Sequence, residues 1–153
     1  MLSSVEKFEM AIYKGFIYSP ETGKVISPKG KEVVSKNRAG YLQFTYTHYS
    51  KTYSLYAHRF GFYFINKVDF GELDHINGIR DDNRICNLRR VTRNENNWNS
   101  HTTKGYYWHK VSNKWKAGIS VNGKAIYLRL FEKEVDARQA YLQAKEKYHT
   151  INI

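Results

Sequence analysis

Short apolar and aromatic segments, separated by polar turns, alternate between positions 15 and 56 and predict an antiparallel meander. The turns are rich in Pro, Gly, Asn and Lys, residues that favour chain reversal. The strand candidates are residues 15–18, 24–27, 32–35, 41–46 and 52–56. Residues 57–65 follow as a mostly apolar and aromatic run, which predicts a short buried helix, although the aromatic side chains also suit a strand.

Residues 71–91 predict two further strands joined by a polar loop. The first strand candidate is 72–76. The Asn77-Gly78 dipeptide that follows favours a turn, because both residues tolerate positive φ. Residues 84–91 then return as the second strand.

A helix start follows the second strand. Thr92 and Glu95 are three residues apart, the spacing of a capping box, in which the hydroxyl caps the first turn and the carboxylate reaches back. The short helix predicted here carries Asn96, Asn97 and Asn99. The pattern as a whole is strand, loop, strand and helix.

The carboxy-terminal pattern predicts three antiparallel strands and one amphipathic helix. The strand candidates are 106–110, 114–121 and 124–131, and the Asn122-Gly123 dipeptide marks a tight turn between the last two. Residues 132–149 have an apolar stripe with helical spacing. The stripe consists of Val135, Ala137, Ala140, Tyr141, Ala144 and Tyr148.

These elements predict an α+β chain of two domains. Residues 1–100 combine N-terminal antiparallel strands and a short helix with a core at residues 71–100. Residues 101–153 form a three-stranded antiparallel sheet packed on one helix, after a polar linker at residues 100–105.

The charge balance of the chain indicates a polyanionic partner. Lys and Arg number 25 against 14 Asp and Glu, a formal net charge of +11 at pH 7. The excess lies in residues 1–70 and 101–153, whereas residues 71–100 are balanced. Contacts to phosphates release counterions, so this charge favours nucleic-acid binding over the alternative of a merely soluble basic protein.

Cysteine content and hydropathy limit the cellular compartments in which the protein is expected. Cys86 is the only cysteine, which excludes an internal disulfide framework and a cysteine-based zinc finger. No window reaches the length of a membrane span, and the amino terminus lacks a signal-peptide pattern. We therefore expect a cytoplasmic protein without a membrane partner.

Asp74 and His75 offer the clearest chemistry in the chain. An Asp-His pair before a turn often has no function, so the surrounding motifs decide its interpretation. Neighbouring side chains on a strand point to opposite sides, so Asp74 can ligate a hard divalent ion while His75 addresses a water. Asn96 can supply a second oxygen ligand, and so sparse a donor set suits Mg²⁺ rather than Zn²⁺.

Basic residues recur in the loops of the N-terminal meander. They are Lys29, Lys31, Lys36, Arg38 and Lys51. Solvated turns commonly carry lysine, and a sheet edge that lies along a DNA backbone explains the pattern equally well. Both interpretations remain open at this point.

Five short motifs occur in order between positions 74 and 96. They are Asp74-His75-Ile76-Asn77-Gly78, Asp82-Asn83-Arg84, Asn87-Leu88-Arg89, Val91-Thr92 and Glu95-Asn96. Together they resemble the HNH endonuclease family, specifically its phage homing endonucleases. The resemblance implies a site-specific endonuclease that hydrolyses double-stranded DNA with one Mg²⁺ or Mn²⁺ ion per active site. The products would carry 5′-phosphate and 3′-hydroxyl ends.

The same resemblance implies roles for four polar side chains. His75 is the general base, and Asp74 and Asn96 are the metal ligands. Asn87 orients the loop or the base. Asn96 departs from the family pattern, because many members carry His at this position.

Four neighbouring residues have roles that the resemblance leaves open. Asn77 and Asn83 are rivals of Asn87 for a supporting role in catalysis. Arg84 and Arg89 are candidate phosphate contacts, with solvated side chains as the alternative.

The carboxy-terminal sheet resembles a second family. Residues 101–131 carry basic but no acidic residues, and Tyr and Trp lie between the charges, a pattern that suits docking into a DNA groove. The matching segments resemble the AP2/ERF DNA-binding domain, in which the sheet lies in the major groove. They are Gly105-Tyr106, Trp108, 114–117, 122–124, Tyr127-Leu128, Phe131 and 137–144.

The second resemblance implies which side chains meet DNA. By position they are His109, Lys110, Lys114, Lys116, Lys124, Tyr127 and Arg129. Gly118 and Ser120 stand where plant members carry charged residues, so the resemblance carries over the fold and not the sequence specificity.

Two functions therefore compete. The favoured one is a homing endonuclease, phage-encoded and acting in a bacterial host cell, which binds an asymmetric site as a monomer and either nicks or cuts both strands. The alternative is a non-catalytic DNA-binding regulator that retains the HNH fold. Only the first explains Asp74, His75 and Asn96 together.

Overall fold

The computed structural model describes residues 2–98 and 104–149, and the chain divides into two compact units, Met1–Arg90 and Val91–Ile153. Helices and antiparallel sheets are both present, which confirms the predicted α+β class. The predicted domain boundary between residues 100 and 101 falls outside the described residues, as does Asn99. None of the described helices is long and apolar enough to cross a membrane.

The first unit opens with a helix that the apolar pattern did not predict. Helix α1 spans Ser4–Tyr13 and buries Phe8 and Ala11. Its start is a capping box: Glu6 N–H donates to Ser3 Oγ at 3.2 Å, and Ser3 N–H donates to Glu6 Oε2 at 2.7 Å. The Ser3-x-x-Glu6 spacing was the sequence signal that could have revealed this helix.

The meander follows α1 and confirms the predicted order of strands, although it divides into two sheets. Strands β1 (Ile17–Tyr18) and β2 (Val25–Ile26) pair antiparallel. Strands β3 (Ser35–Lys36), β4 (Leu42–His48) and β5 (Lys51–Tyr56) form a three-stranded antiparallel sheet.

One predicted strand of the meander is displaced. Residues 32–35 were expected to be extended and paired, but Glu32 makes only an isolated bridge to Ile26. Strand β3 begins at Ser35 instead, because its pairing with β4 starts there.

Helix α2 settles the helix-or-strand ambiguity at residues 57–65. It spans Ala57–Asn66, which confirms a helix, and it ends where Lys67 adopts a left-handed φ of 53°. The helix buries one aromatic face, and the Phe60 ring lies 5.0 Å from that of Phe44 in an edge-on arrangement. A fully buried Phe contributes about 1.5–3 kcal/mol to the free energy of folding, so this aromatic core is the main support of the unit.

The segment around Asp74 is built on a second two-stranded sheet. Strand β6 (Glu72–His75) pairs with β7 (Leu88–Val91). The predicted return strand at residues 84–91 is shorter than expected, because Ile85–Asn87 form a turn of 3₁₀ helix.

The second unit begins with a short helix and continues with a sheet. Helix α3 spans Arg93–Trp98, and Thr92 and Glu95 form the predicted capping box. Strands β8 (Tyr106–His109), β9 (Lys114–Val121) and β10 (Lys124–Phe131) lie in the order β10-β9-β8, all antiparallel.

The turn and the helix of the second unit follow the prediction with one exception. Asn122 and Gly123 have φ of 51° and 78°, as a two-residue hairpin turn requires. Helix α4 (Glu134–Tyr148) packs on the sheet, and Tyr141 lies in its buried face. Val135 was assigned to that face wrongly, since its side chain is 63% exposed.

A substitution in α2 tests how tightly the first unit is packed. A Cβ at Gly61 would lie 2.4 Å from a ring carbon of Tyr18. We expect Gly61→Ala to lower the free energy of unfolding by about 1–3 kcal/mol through overpacking, which exceeds the gain in helix propensity of about 1 kcal/mol.

Urea denaturation followed by far-UV circular dichroism measures this loss, and tryptophan fluorescence reports on the second unit alone, because all three Trp lie there. Gly71→Ala is the matched control, since nothing lies within 4 Å of its added Cβ. Equal stability of the two variants would contradict the packing described.

Candidate active site

Asp74 and His75 lie at the end of β6 and are both buried. Residues 73–75 are buried in succession, so this short strand is covered on both faces rather than on one. Asp74 retains 7% of its surface and His75 retains 5%. Two adjacent polar side chains on opposite sides of a strand therefore each need a partner within the protein.

Arg89 on β7 is the partner of Asp74. Its Nε and Nη2 both donate to Asp74 Oδ2, at 3.0 and 2.7 Å. Both side chains of this ion pair are largely buried, at 16% and 8% exposure. The two hydrogen bonds fix the orientation of the Asp74 carboxylate. Removing either member of the pair would leave an uncompensated buried charge. A phosphate contact from Arg89 stays a prediction.

Asn83 is a partner of His75. The distance from His75 Nε2 to Asn83 Oδ1 is 3.0 Å, and Asn83 is only 1% exposed. Asn83 was one of two rivals for a supporting role in the sequence, and the structure brings its amide to the imidazole.

The hairpin of β1 and β2 packs against the backbone of Asn83. Tyr18 Oη donates to the Asn83 carbonyl at 2.6 Å, and Ile85 N–H donates to the Pro20 carbonyl at 3.0 Å. Gly23, at φ 73°, packs so closely that an added Cβ would lie 2.5 Å from the Asn83 carbonyl carbon. Sequence reasoning missed these contacts, since 65 residues separate Tyr18 from Asn83 and no local signal links them.

Asn87 closes the loop between β6 and β7. Its Oδ1 accepts from Asn77 N–H at 3.0 Å, and its Nδ2 donates to the Asp82 carbonyl at 2.7 Å and to Asn77 Oδ1 at 3.0 Å. These bonds join Asn87 to the loop, and a role of Asn87 in catalysis stays a prediction.

Arg84 is also engaged within that loop. Its Nε and Nη2 donate to Asp82 Oδ1 and Oδ2 at 2.7 and 2.6 Å. The hydrogen bond from Arg84, with a further one from Asn77, lowers the pKa of Asp82 to about 2. The carboxylate is thus ionised near neutral pH and holds Arg84 beside the loop, with its side chain half exposed.

Two rings flank His75. The His58 ring centroid lies 5.1 Å from that of His75, and the Tyr41 centroid lies 6.0 Å away. Burial, with smaller effects of His75 and Arg59, lowers the pKa of His58 to about 3. His58 is therefore neutral at ordinary pH and places no positive charge beside His75.

Asp74 and Asn96 are the candidate ligands of a divalent metal ion. No group of three or more His, Cys, Asp or Glu side chains that could hold an ion occurs among the described residues. The buried Asp74 carboxylate is a hard oxygen donor, and Asn96 lies on α3 in the second unit. A lone carboxylate favours a largely hydrated Mg²⁺ or Mn²⁺ ion over Zn²⁺, and the two-ligand set of Asp74 and Asn96 stays a prediction.

Residues 67–98 match the HNH endonuclease family. We call these residues the HNH segment. They include Asp74, His75, Asn83, Asn87 and Asn96, so the match covers the buried pair and its neighbours.

A wider similarity extends beyond the HNH segment. The chain resembles a solved structure concerned with DNA binding and cleavage by the HNH homing endonuclease I-HmuI. The alignment covers 86% of this chain and 80% of that one, at 22% sequence identity and a TM-score of 0.49. The comparison with curated proteins gave no significant match.

Two candidate DNA contacts outside the HNH segment, Lys116 and Tyr127, share one face of the second sheet. Lys116 Nζ lies 5.5 Å from the centre of the Tyr127 ring, and Tyr127 is largely exposed. Both line an open concavity of about 620 Å³, together with Tyr107 and Gly118. The buried Ala117 and Ile119 alternate with Lys116 and Gly118 along β9.

Other predicted contacts of the second unit have local partners. Lys114 forms an ion pair with Glu132 at 2.7 Å, and His109 Nδ1 lies 2.9 Å from Ser112 Oγ. Lys110, Lys124 and Arg129 are exposed at or near the ends of the strands.

The basic residues of the first unit lie mostly in turns. Lys29, Lys31 and Arg38 are exposed in the loops of the meander. Lys36 pairs with Asp81 at 2.7 Å, and Lys51 Nζ lies 5.6 Å from the centre of the Tyr53 ring. A DNA contact from this set stays a prediction.

The buried His58 predicts a pH dependence of stability. Its pKa is about 3 in the folded chain against an ordinary 6.5, so between these values the unfolded chain binds a proton that the folded chain does not. The contribution is fully present above pH 6.5 and is lost as the pH falls, by at most about 1.4 kcal/mol per pH unit.

Urea denaturation of the wild type and of His58→Phe between pH 8 and pH 4 measures this contribution. We expect the difference in unfolding free energy between them to shift in favour of the variant as the pH falls below 6.5. A difference that stays constant with pH would show that His58 is not buried in its neutral form.

Proposed function

We propose that this protein is a site-specific endonuclease that hydrolyses a phosphodiester of double-stranded DNA. The observation that carries the proposal is the buried Asp74–His75 pair inside the segment that matches HNH endonucleases. The basic charge of the chain supports DNA as the substrate.

In this mechanism His75 is the general base. A neutral imidazole accepts one proton from a water molecule as the water oxygen bonds to phosphorus. The bond from phosphorus to the 3′ oxygen breaks, and that oxygen takes a proton from solvent. The products carry a 5′-phosphate and a 3′-hydroxyl.

Asp74 and Asn96 would hold the divalent ion in this proposal. When bound, Mg²⁺ or Mn²⁺ supplies a Lewis acid that polarises the phosphate and stabilises the charge on the leaving oxygen. Arg89 keeps the Asp74 carboxylate oriented through its two hydrogen bonds. Asn87 keeps the loop closed beside the pair.

The second unit would grip the duplex. The proposal is supported by the resemblance of its sequence to AP2/ERF DNA-binding domains, and by Lys116 and Tyr127, which present charge and a ring on the open face of the sheet. A chain with one such site would act as a monomer on an asymmetric target, within the cytoplasm of a bacterium that carries the phage. Nicking one strand at a time follows from a single active site per chain.

One observation favours a second candidate, a DNA-binding regulator without catalysis. The Arg89 guanidinium already neutralises Asp74, so a divalent ion would have to share that carboxylate. If the Arg89 guanidinium cannot move aside to let an ion bind the Asp74 carboxylate, the fold would bind DNA without cleaving it.

The cleavage assay separates these candidates. A supercoiled plasmid that carries the genomic neighbourhood of the gene is incubated with the protein and Mg²⁺. We expect nicked or linear product, its loss in EDTA, and a rate at least about 100-fold lower in His75→Ala because the general base is absent.

His48→Ala is the matched control, since this histidine lies on β4 outside the HNH segment. It should cleave at the wild-type rate. Full activity in His75→Ala, or no scission by the wild type, would reject catalysis by this pair and leave the regulator.

Lys116 tests the grip on the duplex. We expect Lys116→Ala to weaken DNA binding and to reduce the slope of log K against log salt by about one phosphate, roughly 0.9. Fluorescence anisotropy with a labelled duplex over a series of salt concentrations measures both quantities.

Lys147→Ala provides the comparison, because Lys147 lies on α4, the helix that packs on the sheet. It removes the same charge from the same unit and should leave the slope close to that of the wild type. An unchanged slope in Lys116→Ala would remove the open sheet face from the interface.

A further inference from the structure

Nε2 of the His75 imidazole has a fixed neighbour, the side-chain amide of Asn83. Nε2 lies 3.0 Å from Asn83 Oδ1, and the two side chains are 5% and 1% exposed. Solvent therefore competes little for this contact, and the amide meets Nε2 rather than Nδ1.

The chemistry of the two atoms decides where the proton of a neutral imidazole lies. A carboxamide oxygen only accepts hydrogen bonds, so the contact requires a proton on Nε2. The lone pair of the neutral ring then lies on Nδ1. We propose that Asn83 is a positioning residue that holds His75 in this tautomer, so that Nδ1 receives the proton of the attacking water.

Asn83 is itself held by contacts that do not depend on His75. Tyr18 Oη donates to its carbonyl at 2.6 Å, and its own N–H donates to the Asp81 carbonyl at 3.1 Å. The close approach of Gly23 prevents the backbone from relaxing toward the β1–β2 hairpin. These contacts fix the backbone of Asn83 and so place its side chain beside the ring, where Nδ2 is buried without a hydrogen-bond partner among the described residues and Oδ1 faces Nε2 of His75.

The role differs from that of the neighbouring Asn87. The amide of Asn87 forms hydrogen bonds with Asn77 and with the Asp82 carbonyl, and these bonds fix the course of the loop. Asn83 acts on the ring itself. This inference rests on the proposed nuclease function for its catalytic consequence, but the tautomer can be measured without any cleavage.

The first experiment is a two-bond ¹H–¹⁵N correlation spectrum of the full-length, metal-free chain above pH 8, with His75 assigned by its absence in His75→Ala. We expect an Nε2 shift typical of a protonated nitrogen and an Nδ1 shift typical of an unprotonated one. In Asn83→Leu the two shifts should move toward each other as the tautomers mix. Asn83→Asp keeps an oxygen acceptor and should preserve the wild-type pattern.

The second experiment compares cleavage by the same variants. Asn83→Leu should lower kcat by about 10-fold or more with little change in KM. The loss should not exceed the roughly 10²–10⁴-fold that the general base itself supplies. Asn83→Asp should recover most of the loss. Asn66→Leu is the matched control, since that amide donates to the Phe62 carbonyl at the end of α2, and it should leave both constants unchanged.

Each result bears on one of the two claims. A wild-type spectrum with the proton on Nδ1, or one that Asn83→Leu leaves unaltered, would overturn the role of Asn83. The wild-type spectrum alone decides this if Asn83→Leu does not fold. An Nε2-protonated ring in a chain that never cleaves DNA would uphold the contact and reject the nuclease.

Discussion

The burial of two adjacent polar side chains is the constraint on which the first unit depends. Asp74 and His75 are consecutive on a four-residue strand, so they face opposite sides and cannot share a partner easily. Each buried polar group costs free energy unless it is hydrogen-bonded. In the first unit, Arg89 donates hydrogen bonds to the Asp74 carboxylate and Asn83 contacts the His75 ring, and both contacts offset this cost.

The surrounding elements keep those two partners in place. The aromatic core of α1, α2 and β4 supports the sheets, and the β1–β2 hairpin lies against the carbonyl of Asn83. Side-chain amides replace regular pairing along the loop, where Asn77 and Asn87 bond to each other and to its backbone. These hydrogen bonds give the polar loop a defined course without regular strand pairing.

Most helices and turns were predictable from local sequence signals. Contacts between residues far apart in the chain were not. The Thr92 capping box and the Asn122-Gly123 turn were both predictable, because each depends on residues within four positions of one another. Helix α1 had the same kind of signal at Ser3, which the weak apolar pattern around it concealed.

The candidate site was predictable as a set of residues but not as a set of contacts. Asp74 and His75 stood out through their motif, whereas the bond of Arg89 to Asp74 depends on the register between two strands. The bond between His75 and Asn83 depends on a loop whose course is fixed by Tyr18, far away in the chain. Such contacts leave no periodicity or spacing for sequence reasoning to detect.

The support given by the β1–β2 hairpin bears on whether the HNH segment can fold independently of the rest of its unit. Tyr18, Pro20 and Gly23 lie about fifty residues before the first position of the HNH segment, and they brace the loop that carries Asn83. The segment is therefore not a transplantable cassette. Grafting residues 67–98 onto another scaffold would carry His75 without the hairpin that supports the loop beside it.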